Sequence, residues 1–153
     1  MTAHRRRKMI IDRLTEDMKA AMKSGDKPRL GTIRMLISEL KNARIEKGDD
    51  LSDVEEQKVL ASYAKKRKEA AANARDGGRD DLVAKEEMEY ETTMSYLPAQ
   101  LGEDELKEII RKHIDAVGGG PQAFGQVMKA VMAEVGGQAD GKVVSALVKE
   151  LIR

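Results

Sequence analysis

Cysteine is missing from this chain altogether, which excludes disulfides, thiolate metal sites and thiol redox chemistry. Tryptophan is also missing, phenylalanine occurs once and aromatics reach only 3%, so the core must be aliphatic. Long apolar runs are lacking too. Behind the basic start MTAHRRRK, only Met9, Ile10 and Ile11 are apolar before Asp12 interrupts, whereas a membrane span needs roughly 20 such residues. Neither a signal peptide nor a membrane association is expected, and a cytoplasmic location is. An excess of one charge sign is equally absent. Charged residues make up 36% of the chain with a formal net charge of +1, so overall charge neither favours nor excludes nucleic acid.

What is present is a vocabulary of helix formers: Met, Ala, Leu, Lys and Glu. No stretch alternates apolar and polar residues for a strand's length, so an all-α fold is expected. At 153 residues the chain fits one ordinary domain or two small ones. Periodic apolar positions predict a first helix from Met9 to about Lys23, carried by Ile11, Leu14 and Met18. Asp26 and Pro28 mark the start of a second helix, which ends near Gly48. Ser52 and Glu55 form a capping box for a third, closed by Gly77 and Gly78. Asp80 or Asp81 caps a fourth that runs toward Leu97. The segment Pro98 to Gly102, PAQLG, reads as a linker between an N-terminal helical domain (1–97, with 1–8 a disordered basic arm) and a three-helix domain (103–153). In the second domain, Leu106, Ile110, His113 and Ile114 stripe a fifth helix and Val127, Val131 and Val135 a sixth. Val144, Leu147, Val148 and Leu151 stripe the last.

The stretch GGQADGKV, residues 136–143, comes within one residue of the phosphate loop G-x-x-x-x-G-K-[ST]. A phosphate loop needs a preceding strand and a hydroxyl residue after the lysine; here the preceding residues have helical periodicity and Val143 follows Lys142. No nucleotide is expected at 136–143. The stretch reads as a corner in which Gly136 or Gly137 ends one helix in left-handed geometry and Asp140 caps the next. Free N–H groups at that corner, beside Lys129 and Lys142, suit a nucleic-acid phosphate.

Other constellations read as structure. The run Lys65, Lys66, Arg67 and Lys68 is a solvated helix face balanced by the acids of the fourth helix, with phosphate contact as its functional alternative. It has no interleaved aromatics for base stacking. His113 lies on an apolar stripe as a satisfied core histidine, and His4 lies in the basic arm; two such distant histidines make no zinc site. The acids of EEMEYE, Glu86 to Glu91, spiral around a helix rather than converge. Met18, Met22, Met35, Met94, Met128 and Met132 are read as core, although a Met-rich surface would also suit an adaptable groove. No catalytic set, metal or cofactor is expected.

Three stretches, DRLTEDMKAAMKSGDKPRLGTIRMLISELKNARIEKG, GRDDLVAKEEMEYETTMSYLPAQL and GQVMKAVMAEVGGQADGKVVSALVKELI, resemble the YqeY-like proteins of bacteria. The C-terminal part is also similar to the tail domain of the GatB component of the glutamine-dependent aspartyl/glutamyl-tRNA amidotransferase, the piece that gives the GatB/YqeY family its name. The resemblance implies an all-helical fold and a tRNA-binding role, or association with a tRNA-dependent enzyme, without catalytic activity of its own. The RNA-facing positions it implies are Gly125, Lys129, Gly137, Asp140, Gly141 and Lys142. This chain departs from relatives in having Ala133, Glu134 and Gly136 where they often carry proline and lysine, which removes positive charge beside the corner. A second expectation, of a different class, is a protein-interaction module using an exposed Met/Leu groove. A third is participation in carbon–nitrogen ligation with glutamine as amido donor.

Overall fold

The computed structural model describes residues 8–153. The expected disordered arm therefore lies outside the described residues except for Lys8, whose ammonium sits 2.5 Å from Glu16; His4 lies outside them as well. Among the described residues there are seven α-helices and no strand: α1 (Ile10–Ser24), α2 (Lys27–Lys47), α3 (Asp53–Asp76), α4 (Asp80–Met94), α5 (Glu103–Val117), α6 (Phe124–Val135) and α7 (Gly141–Leu151). The fold is all-α.

Several helix starts follow from local side-chain chemistry. Asp26 accepts a hydrogen bond from the Arg29 N–H at 3.2 Å, with Pro28 in the first turn of α2, where its missing N–H costs nothing. Ser52 Oγ accepts from the Glu55 N–H at 3.2 Å while the Glu55 carboxylate accepts from the Ser52 N–H at 3.0 Å, completing the capping box of α3. The start of α4 differs from expectation. Arg79 occupies the cap position without a side-chain bond, and Asp80 and Asp81 lie inside the first turn, where their charge complements the helix dipole instead. Three consecutive glycines, Gly118, Gly119 and Gly120, connect α5 to α6 with φ of +100°, +73° and +88°, a run that side chains would strain.

Contacts divide the chain into two compact units, one ending at Leu97 and one comprising Pro98–Arg153. In the first, α1 packs on α2 and α3 on α4. Leu14, Ile33, Leu36 and Leu60 are fully buried between them, and Tyr96 closes the same core. Thr32 and Thr93 are buried without loss of hydrogen bonding, because each hydroxyl donates to the carbonyl four residues back, Pro28 at 3.1 Å and Glu89 at 2.7 Å. In the second unit, Ile110, Val127, Val131, Val144 and Val148 meet in a valine-rich core. Each such side chain contributes on the order of 1.5–3 kcal/mol by leaving water, which lets three short helices hold one another.

Residues 98–102 are not a free connector. The Leu101 N–H donates to the Gln138 carbonyl at 2.9 Å, and the Leu101 side chain packs against the second core. Gln100 Nε2 donates to the Gly137 carbonyl at 2.8 Å. The YLPAQL motif is thus spent on structure at both ends, because Tyr96 is buried with its hydroxyl donating to Asp17 and the Arg13 guanidinium 5.2 Å above its ring. Burial first, and the Asp17 carboxylate second, push the Tyr96 phenol well above its ordinary pKa.

Candidate nucleic-acid interface

The six positions implied by the family resemblance all fall on α6, α7 and the corner between them, but they do not share one environment. Gly125 and Lys129 are exposed and one helical turn apart, so they lie on a common strip of α6. A Cβ placed on Gly125 would meet nothing within 4 Å. Lys129 also borders a shallow hollow with Val117, Gln126, Ala130 and Ala133. Three residues beyond Lys129, on the same side of the helix, Met132 packs beside Gly141, whose added Cβ would lie 3.9 Å from the methionine methyl. Lys142 follows, exposed in the first turn of α7. The Met132–Gly141 contact thus joins α6 to the start of α7, with Lys129 exposed on the first helix and Lys142 on the second.

The corner itself is more closed than the sequence suggests. Residues Gly136–Gln138 form a short 3-10 turn, and Gly136 and Gly137 are both buried. Gly137, expected to face RNA, points its carbonyl at Gln100 and is a packing residue. Gly136 has φ +53° and ψ −123°, a positive φ but outside the left-handed helical region expected there. Asp140 does cap α7, accepting from the Lys142 N–H at 2.9 Å. That bond occupies one of the N–H donors expected to be free at this corner.

Glu134, one of the departures from the family pattern, has a defined role. Its carboxylate lies 2.5 Å from Lys112 Nζ and 3.2 Å from His113 Nε2, joining α6 to α5. The Lys112 hydrogen bond first, and the His113 bond after it, hold the Glu134 carboxyl below its usual pKa. His113 is accordingly a partnered, half-buried side chain. No group of His, Cys, Asp and Glu able to hold a metal occurs among the described residues.

The second basic run splits by helical phase. Lys66 and Lys68 are exposed, while Arg67 turns inward. Its guanidinium lies 3.0 Å from Glu86 and 3.7 Å from Glu89, and 5.0 Å above the Tyr63 ring, with Nε buried and unpartnered. The acids of α4 balance this run as expected, but Arg67 is a packing residue rather than part of a solvated face. Two methionines read as core also differ: Met22 is 55% and Met35 48% exposed.

Sequence reasoning missed one constellation entirely. Glu56, in the first turn of α3, is buried and accepts hydrogen bonds from the Ile10 and Ile11 N–H groups at 2.9 and 3.0 Å. It caps α1 from a distant part of the chain, since Met9 provides no side-chain cap. Burial pushes its carboxyl above the ordinary pKa, outweighing the two N–H bonds that act in the opposite direction. The only local signal was an acid one place beyond the capping-box glutamate. Beside it lies a cavity of about 310 Å³.

Comparison with known proteins fits this architecture. A family model described as Yqey-like protein matches residues 11–152. In Pyrenophora tritici-repentis, a protein named altered inheritance of mitochondria protein 41, mitochondrial, is 29% identical over 148 residues, covering 94% of this chain and 81% of the relative. Proteins of the same name are 34% identical over 107 residues in Kluyveromyces lactis and 32% identical over 87 residues in Eremothecium gossypii. These alignments cover 69% and 56% of this chain, and about half of each relative, 55% and 48%. The relatives correct two expectations. They are fungal proteins named as mitochondrial, which overturns both the bacterial assignment and the plain cytoplasmic location.

Proposed function

The chain belongs to the YqeY-like protein family, and from that premise we propose that it is an accessory protein whose C-terminal unit contacts tRNA, alone or on a tRNA-dependent enzyme. The observation that carries this reading is that Gly125 and Lys129 are exposed one turn apart on α6 and that Lys142 is exposed in the first turn of α7. Gly125 lets a sugar–phosphate backbone approach the helix closely, and the two ammonium groups supply the charge that phosphates require. Binding of this kind is salt-sensitive and reads backbone shape rather than base sequence.

The test is a titration of labelled tRNA into the full chain at low and at physiological salt, with Lys129→Ala and Lys142→Ala alongside. Each substitution is expected to weaken binding at low salt and to lower the slope of log affinity against log salt by about one. Unchanged binding in both variants, or no binding by the parent at low salt, would refute the interface.

A further inference from the structure

The cavity beside Glu56 belongs to no part of the reading above. It lies where the start of α1, the C-terminal part of α2 and the start of α3 meet, and its lining divides into three kinds of surface. Ile11, Leu40 and Leu51 give an apolar wall. Glu56 contributes a buried carboxylate, and Lys41 with Arg44, three residues apart on α2, contribute cations. Arg44 is already held by Asp50 at 2.9 Å. Lys41 is exposed, so among the described residues of the lining it is the cation left to a ligand.

An ionised carboxylate offers about four acceptor sites, and the Ile10 and Ile11 N–H groups fill two of those on Glu56. A buried carboxylate with acceptors to spare is stabilised by a cationic donor placed against it. A simple amine at that position would be repelled by Lys41, and a simple anion by Glu56. A phosphate ester would bring two negative charges to a cavity that already holds two carboxylates. A zwitterion with an apolar body satisfies every part of the lining. The volume of about 310 Å³ is at the lower end of the range of ligand pockets, on the order of 300–1,000 Å³, and has room for a molecule of single-residue size.

We infer that this cavity binds a free amino acid with an apolar side chain, its ammonium on Glu56, its carboxylate on Lys41 and its side chain on Leu40, Leu51 and Ile11. The inference is independent of the tRNA contact, which lies in the other unit.

Calorimetry on the full chain tests it with four probes: L-leucine, L-alanine, L-leucinamide and N-acetyl-L-leucine. Leucine should bind and perturb the Ile10 and Ile11 amide resonances, and alanine should bind more weakly for want of apolar contact. Leucinamide lacks the carboxylate and N-acetylleucine the ammonium, so each should lose about tenfold or more in affinity, the size of one lost charge-assisted hydrogen bond. Lys41→Ala, at an exposed position that leaves the fold intact, should lose as much for leucine and nothing for leucinamide. Absence of leucine binding, or equal affinity for leucine and its two neutralised analogues, would overturn the proposal.

Discussion

Replacing Glu56 by glutamine separates two opposing effects in a single side chain. The native carboxylate accepts two backbone N–H groups at 2.9 and 3.0 Å, and Met9 at the cap position of α1 supplies no side-chain bond. An amide has only one acceptor oxygen, so Glu56→Gln leaves one of those donors facing an NH2 group. The cost of a buried donor without its partner is about 1–3 kcal/mol, reduced here because water can enter the adjoining cavity. The pH dependence is more diagnostic than the size. Burial raises the Glu56 pKa in the folded state above its unfolded value. Relative to the unfolded chain the native state therefore holds this proton more tightly, and the stability this group contributes is fully present below the unfolded pKa of about 4.3 and is lost as pH rises through the folded value. Glutamine does not titrate. The advantage of the parent over Glu56→Gln should consequently be largest near pH 4 and shrink toward neutrality, with all other titrating groups cancelling in the difference. Urea denaturation of both proteins across this range measures it, and amide exchange at Ile10 and Ile11 locates the effect at the start of α1. An advantage that grows with pH would refute the reasoning, because it would mean that the two N–H bonds outweigh desolvation of the charge.

Two further substitutions test the packing of each unit. Asp140→Ala should destabilise the C-terminal unit by about 1 kcal/mol and speed exchange of the Lys142 amide, whereas Asp140→Asn keeps an acceptor and should lose far less; equal losses would show that the cap bond is not what Asp140 contributes. Arg67→Ala should cost about 1–3 kcal/mol in thermal or urea unfolding, because Glu86 and Glu89 would be left half-buried beside Tyr63 without their cation, while Lys66→Ala should change stability by no more than about 0.5 kcal/mol. Similar losses from both lysine and arginine positions would place the basic run on one solvated face after all.

What could be read from the sequence was what depends on neighbours along the chain. The caps at Asp26, Ser52 and Asp140 each act on an N–H two or three residues away, so the letters alone specify them. The apolar stripes of α5, α6 and α7 are equally local, and Val127, Val131, Val144 and Val148 are buried as their spacing implies. What could not be read depends on residues far apart. Arg67 differs from Lys66 and Lys68 only in the side of the helix it takes, and its significance comes from Glu86 and Glu89 on another helix. Glu56 looks like one more acid in a helix's first turn, yet it serves the start of α1, forty-six residues away for Ile10. Gly137 is a small residue in a family-specific motif, and only the hydrogen bond from Gln100 shows that its backbone is used internally.

The same distinction narrows the candidate interface. Read along the sequence, Glu134 places a negative charge beside the corner and weakens any contact with RNA. In the folded chain it follows Lys129 by five residues, about 140° further around α6, and so lies on another flank of the helix. There it is engaged by Lys112 and His113 and depressed in pKa by both. Its charge is therefore directed at α5 rather than at the strip that carries Lys129. The same pairing engages Lys112, and Lys129 and Lys142 are the cations proposed here for phosphate contact. Two contacts give a salt slope of only about two, far shallower than that of proteins built to hold nucleic acid by themselves. An interface of that strength fits a protein that touches tRNA within a larger assembly, where a second component supplies the remaining affinity and the two contacts set orientation.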